Sequence, residues 1–297
     1  MTVPTPPSSP IDENLLLEDL NEHTGFYVRG GQLLERGRSE YQEYEVWDTP
    51  QFGRLFRLDG YFMTSERDEF FYHENLIHVP GMTHPGLRRV LIIGGGDGGS
   101  AEEVFKYPHV ERVVLVELDE KVVSIAREHL AAVHQGSLDD ARMEIRIEDG
   151  LRYVREIAPA AGERFDLIVL DLTDPVGPAE ALYTSEFFRD CKALLNPQGA
   201  MTLHIGAPVH TPERLVALMR NLHTTFSCVR PYFMYIPLYG SLWGMACASD
   251  ALDPLELSEE EVERRLAQHK IGALQYYNGA MHCAQFALPN YLRLLLA

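Results

Sequence analysis

From Val90 onward the chain alternates short unbroken apolar runs with longer amphipathic stretches. Val90-Leu91-Ile92-Ile93, Val113-Val114-Leu115-Val116 and Phe165 to Leu170 read as strands buried on both faces. Met143 to Ile147 alternates as a strand, and Ala200 to His204 is another. Between them Ser100 to Tyr107, Lys121 to Leu130, Leu151 to Ile157, Thr184 to Leu195 and Pro212 to Phe226 read as helices. Asn196-Pro197-Gln198-Gly199 is the stop signal of the fourth, and Leu215, Leu218 and Leu222 line one side of the fifth. Val229 to Ile236 and Leu242 to Ala248 follow each other across a short turn, so they pair antiparallel. Ser258 to Gln268 is an acidic amphipathic surface helix. The alternation predicts an α/β fold with a doubly wound, mostly parallel sheet.

The first part of the chain differs. Residues 25–64 alternate and turn like a small antiparallel sheet of about four to six strands. Phe26-Tyr27-Val28 runs into Gly30-Gly31, Tyr44 to Trp47 into Asp48-Thr49-Pro50, and Leu55 to Leu58 into the hairpin pair Asp59-Gly60. Such a sheet buries little surface alone, so it packs on the main domain or on a second subunit, which predicts a dimer or higher. Glu66 to Val79 reads as a helix with Phe70, His73 and Ile77 on one face, and Tyr72 and His73 are candidates to enter a cleft. The expected organisation is a disordered tail over 1–20, a small β domain over 21–66 and a catalytic domain over 67–297.

Composition narrows the classes. The chain has 297 residues, 45% of them hydrophobic, with 44 acids against 26 bases and a net charge of −18. That balance disfavours nucleic acid as a partner and is compatible with a cationic substrate, or with solubility alone. No apolar run approaches the ~20 residues that span a bilayer, so no membrane partner is expected. Met1 to Pro10 lacks the basic start and apolar core of a signal peptide. Cys191, Cys228, Cys247 and Cys283 form no C-x-x-C pair and read as reduced, mostly buried thiols without zinc. A cytoplasmic protein is expected.

The chemistry gathers at the ends of the predicted strands. Gly94, Gly96 and Gly99 in Gly94-Gly95-Gly96-Asp97-Gly98-Gly99 fit G-x-G-x-x-G, a turn used for dinucleotides and also for packing. Asp97 argues against a dinucleotide, because a pyrophosphate ~4 Å from a carboxylate is repelled by about 4 kcal/mol at an effective dielectric of roughly 20. The loop suits a nucleoside whose other end is cationic. Glu117, Asp149 and Asp171 also sit at strand ends, with Asp174 close behind. Glu117 lies 23 positions after Gly94, where an acid meets ribose hydroxyls, and Asp149 can accept from an adenine amine. Acids converging on one crevice call for a cation. The loop Asp171 to Ala179 is punctuated by Pro and Gly and can act as a lid. Tyr235, Tyr239 and Trp243 flank Pro237 and Gly240, and such faces suit ammonium groups and methylene chains as well as core packing.

Leu58-Asp59-Gly60, Glu66-Arg67-Asp68-Glu69-Phe70, Tyr72-His73-Glu74, the glycine loop, Asp171 to Ala179 and Ala287-Leu288-Pro289 together resemble the polyamine aminopropyltransferases of the spermidine synthase type. The resemblance runs from about Tyr41-Gln42 to Leu288-Pro289. It implies an N-terminal β domain and a Rossmann-like, methyltransferase-like domain, a homodimer or homotetramer, and no permanently bound cofactor or metal. Decarboxylated S-adenosylmethionine is the implied co-substrate, with putrescine or another polyamine as partner substrate. By the resemblance, Gln42, His73, Gly94, Gly96, Asp97, Glu117, Asp149, Gly150 and Asp171 contact the donor. Tyr72, Asp97, Asp174 and Tyr239 contact the acceptor, with His204 and Trp243 as further candidates. Asp171 is the implied proton acceptor, and Leu172, Thr173, Pro175, Gly177 and Pro178 belong to the lid.

The departures bear on the acceptor. Many spermidine synthases have Ser-Ser at Leu172-Thr173, Gln at His204 and Glu at Gly206. Asp171 to Pro175, Trp243-Gly244 and Ala248-Ser249-Asp250 are more similar to relatives that take agmatine, spermidine or longer amines. Putrescine is the first expectation, and agmatine or a triamine is the alternative. A methyltransferase, or a non-catalytic nucleoside-binding relative, is the alternative of another class.

Overall fold

The structure, a computed structural model, describes residues 14–175 and 177–297. Residues 1–13 of the expected tail, Val176 of the lid and the side chains of Gly177 and Pro178 lie outside the described residues. The end of the expected tail is not a tail. Leu16–Asp19 (β1) pairs antiparallel with Gly25–Val28 (β2). Leu16 is buried with Val28, Trp47, Phe52, Leu55, Phe62 and Leu238, and the Arg57 guanidinium donates to the Leu17 carbonyl at 2.6 Å. The Pro/Ser/Thr bias that suggested a tail stops at Pro10, and the apolar run Leu15-Leu16-Leu17 supplies the strand.

Gln32–Arg38 (β3), Glu43–Thr49 (β4), Gly53–Leu58 (β5) and Tyr61–Ser65 (β6) form a four-stranded antiparallel sheet in chain order. Asp59 and Gly60, at φ 48° and 87°, turn β5 into β6 with both central residues left-handed, as a tight hairpin requires. Glu69–Thr83 (α1) then leads into the main domain, and from Tyr72 onward all its residues are buried. Burial on all sides, not one stripe, is why the helix shows little amphipathic periodicity.

The main sheet holds Arg89–Gly94 (β7), Arg112–Glu117 (β8), Met143–Ile147 (β9), Phe165–Asp171 (β10), Leu195–Gly206 (β11), Cys228–Ile236 (β12) and Ser241–Ser249 (β13). Their order is β12-β13-β11-β10-β7-β8-β9, with β13 antiparallel to both neighbours and the other pairs parallel. Helices Gly99–Phe105 (α2), Glu120–His129 (α3), Ser185–Ala193 (α4), Pro212–His223 (α5) and Glu259–His269 (α6) cover the faces. Val90, Ile92, Val113 and Leu115 pack towards α1, α2 and α3, whereas Leu91, Ile93, Val114 and Val116 pack with Phe187, Phe188, Leu215 and Leu222 of α4 and α5. Both faces are therefore apolar, and the strands read as unbroken runs.

Asn196 to Gly199 is not a loop. The pairing of β10 with β11 steps from Phe165↔Leu195 to Leu167↔Ala200, so these residues form a bulge inside β11, and α4 ends earlier at Ala193. The stretch read as one helix over 151–157 is a short α turn, Gly150–Arg152, continued by a π turn, Tyr153–Ile157. Cys191 and Cys247 are buried, Cys228 is half-buried and Cys283 is exposed. Among the described residues no helix is long and apolar enough to cross a membrane.

Candidate active site at the β7–β10 switch

From β7 the chain builds outward through β8 to β9, then returns to lay β10 against the other edge of β7. The carboxyl ends of β7 and β10 therefore open a crevice, the general ligand position of such sheets. Gly94 pairs with Asp171 there, and the Gly95 amide donates to the Asp171 carbonyl at 2.8 Å. Gly94 has φ 78°, and a Cβ on it would lie 2.1 Å from that carbonyl oxygen. A Cβ on Gly99 would lie 2.2 Å from the His73 ring. The glycines thus let a strand end and a helix side chain close on the same loop.

Three charged groups meet where the loop, α1 and β10 converge. His73 Nδ1 is 2.6 Å from Glu69 Oε2, and its Nε2 is 3.6 Å from Asp97 Oδ2. Asp97 Oδ1 also accepts from the Gly99 amide at 3.0 Å. Ligand atoms of His73, Asp97 and Asp171 lie within 4.8 Å of one another. Burial opposes charge on His73, but the Asp97 and Glu69 carboxylates outweigh it and push its pKa up to about 10. Asp171 Oδ2 accepts from Ser100 Oγ at 2.7 Å, and the Tyr72 hydroxyl bonds the same carboxylate. Burial, then the charge of Asp97, pushes Asp171 up to about 6 against the pull of His73, Ser100 and Tyr72.

Along the β8 side, Glu117 Oε2 accepts from the Gly96 amide at 3.2 Å and Oε1 from the Asp119 amide at 3.0 Å. Burial holds Glu117 up at about 7. Gln42 reaches this end from the small β domain, but its amide donates to Asp119 Oδ2 at 2.9 Å, beside Ser39 Oγ at 2.6 Å. Asp149 is exposed and caps the Leu151 amide at 2.8 Å. Gly150 is buried, and a Cβ there would stand 2.7 Å from Ile93.

The other wall is built from distant segments. His204 Nε2 is 3.0 Å from the Leu172 carbonyl and 2.6 Å from the Tyr183 hydroxyl, which donates to the Thr173 carbonyl at 2.8 Å. A hydroxyl already donating must accept from His204, so Nε2 carries the hydrogen. Burial depresses the His204 pKa, leaving a neutral ring. Trp243 stacks on it at 5.6 Å, and Tyr239 lies 4.8 Å from Trp243 and 6.2 Å from Tyr72 between ring centres. The Tyr239 hydroxyl donates to the Met63 carbonyl at 2.8 Å. Asp174 Oδ2 takes Arg214 Nη1 at 2.7 Å. Glu18 of β1 accepts from the Phe62 amide; burial pushes it up to about 7, and the charge of Asp174 adds to the shift. Tyr235, from the same aromatic group in the sequence, is 54% exposed and stands outside this wall.

The crevice thus brings together His73, Asp97, Asp171, Tyr72 and Tyr239, with Glu117 along one edge and His204, Trp243 and Asp174 along the other. Glu69, Ser100, Tyr183, Arg214 and Glu18 were not anticipated. The i, i+4 spacing of Glu69 and His73 was a usable signal, as was a serine on the first turn after the glycine loop. Glu18 lay in the stretch read as a tail, and nothing local marked Tyr183 or Arg214.

The chain matches the family model of the spermine/spermidine synthase domain over residues 69–258 and that of the spermidine synthase tetramerisation domain over 20–66. It is 46% identical over 293 residues to a polyamine aminopropyltransferase of Nitrosomonas europaea, covering 98% of this chain and 89% of the relative. A polyamine aminopropyltransferase of Moorella thermoacetica is 40% identical over 90% of each chain. Among solved structures, a spermidine synthase in complex with the transition state analogue AdoDATO superposes with a TM-score of 0.89 at 34% identity over 98% of each chain. The spermidine synthase of Thermotoga maritima gives 0.87 at 33% identity, over 98% of this chain and 97% of that one.

Proposed function

Since the chain belongs to the spermine/spermidine synthase family and is an aminopropyltransferase, we propose that it moves the aminopropyl group of decarboxylated S-adenosylmethionine to putrescine, giving spermidine and methylthioadenosine. The carrying observation is the charge balance at the β7–β10 switch: Glu69, Asp97 and Asp171 surround one imidazolium. Three acidic side chains around one imidazolium leave the cluster short of positive charge. The decarboxylated donor brings an ammonium there, whereas the ordinary methyl donor brings a carboxylate that Asp97 repels.

The reaction is a displacement at the carbon next to the sulfonium. The amine lone pair forms the new N–C bond, and the C–S pair leaves with sulfur as a neutral thioether, so no general acid is needed. The difficulty is the nucleophile, because an alkylammonium with a pKa near ~10.4 has no lone pair. Asp171 takes its proton. A carboxylate raised to about 6 is a better base than one at its ordinary value and is still ionised at neutral pH. Tyr72, Tyr239 and Trp243 offer faces to the methylene chain, and alignment of nitrogen, carbon and sulfur supplies further acceleration. Glu117 receives the ribose hydroxyls, and Asp149 with Gly150 meets the adenine. No metal or resident cofactor enters this scheme.

A longer acceptor, agmatine or a triamine, is favoured by one observation: a Cβ on Gly206 would meet only Thr211 Oγ1, at 3.5 Å, so the end of β11 leaves space. Leu17, Tyr27 and Tyr61 expose 58%, 52% and 44% of their surface on the N-terminal strands, which supports a homodimer or homotetramer through the small β domain. Mass spectrometry of reactions with each donor and a panel of amines tests the reading. Aminopropyl added to putrescine is the expected product; preferential addition to agmatine or spermidine replaces the acceptor, and methyl transfer overturns the reaction.

A further inference from the structure

We propose that Ser100 is a positioning residue for Asp171: its hydroxyl holds Oδ2 and keeps the carboxylate charged and oriented to take the proton from the acceptor amine. The inference rests on the reading of Asp171 as the base and goes beyond it by naming the group that holds it.

Ser100 is fully buried on the first turn of α2, and its Oγ donates to Asp171 Oδ2 at 2.7 Å. That oxygen is turned over the glycine loop, since a Cβ on Gly95 would stand 2.8 Å from it. An ionised carboxylate only accepts, so the serine hydrogen and Oδ2 suit each other before transfer. The bond fixes the orientation of the carboxylate beside the glycine loop. In the step itself the amine N–H proton moves to the Asp171 carboxylate, its electron pair stays on nitrogen to form the N–C bond, and the C–S pair goes to sulfur.

The same bond favours the charged carboxylate. The groups facing Asp171 are Asp97 from the loop, His73 and Tyr72 from α1, Ser100 from α2, Tyr183 beyond the lid and Tyr239 from the β12–β13 turn. Asp97 opposes ionisation, while His73, Ser100 and Tyr72 support it. Deleting the serine hydroxyl leaves the others in place and makes Asp171 harder to ionise.

The experiment measures kcat/KM for the amine against pH in the full-length enzyme, for wild type, Ser100→Ala, Ser100→Thr and Asp171→Asn. Thermal unfolding and methylthioadenosine binding monitor the fold. Ser100→Ala is expected to move the acidic limb up by about one pH unit, a several-fold loss near about pH 6 that nearly vanishes at about pH 8.5. Ser100→Thr, which keeps the hydroxyl, restores the limb. A loss of equal size at every pH, or an unmoved limb, overturns the proposal while an inactive Asp171→Asn leaves the base in place. An Asp171→Asn enzyme with near-normal turnover overturns the base assignment and this inference with it.

Discussion

Beside the glycine loop, Asp97 and Asp171 share one imidazolium, His73, with Glu69; across the crevice, Asp174 has the Arg214 guanidinium to itself. The first group is closed in by backbone. Glycines admit it, the Gly99 amide bonds Asp97, and His73 is 3% exposed. The second is made of long side chains, and Asp174 and Arg214 keep 36% and 34% of their side-chain surface in water. The first wall, which we propose receives the donor, is left short of positive charge in a dry place, so it attracts a cation strongly. The second, proposed to receive the acceptor, is already near neutral: Asp174 is paired, His204 is uncharged, and burial makes Glu18 hard to ionise. On that proposal, chemistry common to a family rests on the first wall and the choice of amine on side chains of the second.

Asp171→Asn is the largest expected break in that picture. Losing the base should cut kcat by about 10²- to 10⁴-fold, with methylthioadenosine binding little changed. Calorimetry beside steady-state rates checks it. Near-normal turnover would move the base to the other wall, where Asp174 is the next carboxylate.

Asp97→Asn comes second. It removes the carboxylate that faces His73 and that we propose meets the donor ammonium, so affinity for the decarboxylated donor should fall by about 10- to 100-fold. Methylthioadenosine, which lacks the aminopropyl arm, should lose far less. Equal losses would mean that Asp97 serves the loop through its bond to the Gly99 amide rather than the ligand's charge.

The two walls were also unequally legible in the sequence. Both-faces-buried strands made β7, β8 and β10 plain, and acids at their ends followed from chain order alone. The lateral order of the strands was not legible, because no residue marks which strand lies beside which. The acceptor wall resisted because its members meet only after folding: Tyr183 touches His204 across 21 positions, and Arg214 reaches Asp174 across 40. Two local signals also misled. Asn196-Pro197-Gln198-Gly199 has turn chemistry, yet the neighbouring strand absorbs it as a bulge. The Pro/Ser/Thr bias of the first residues was extended too far and hid Glu18 in a supposed tail.

Glu117 gives a third, smaller effect on the donor wall. Its pKa of about 7 lies above the ordinary carboxylate value because the group is buried. If the ionised form accepts the ribose hydroxyls, binding strengthens as pH rises and levels off above that value. Between about pH 6 and 8 the dissociation constant of methylthioadenosine should fall by about tenfold. Glu117→Gln should weaken binding at high pH and flatten the dependence. A wild-type affinity that is flat over this range would show that the amides of Gly96 and Asp119 hold Glu117 ionised throughout.

Arg214 offers the finest test, because it asks whether the acceptor wall is neutral by design. An amine approaching Asp174 must share that carboxylate with the guanidinium 2.7 Å away. Ion pairs this exposed are worth about 0–1 kcal/mol, so Arg214→Leu should change thermal stability little and lower the acceptor KM by no more than about fivefold. Arg214→Lys keeps the charge and should leave that KM near the wild-type value, and the donor KM should hold in both variants. The sign is what matters. A lower KM means that the arginine competes with substrate and tempers affinity for polycations. A higher KM means that it braces Asp174 at the start of the lid, with the Tyr183 and His204 bonds to Thr173 and Leu172, and that the acceptor wall depends on rigidity rather than charge.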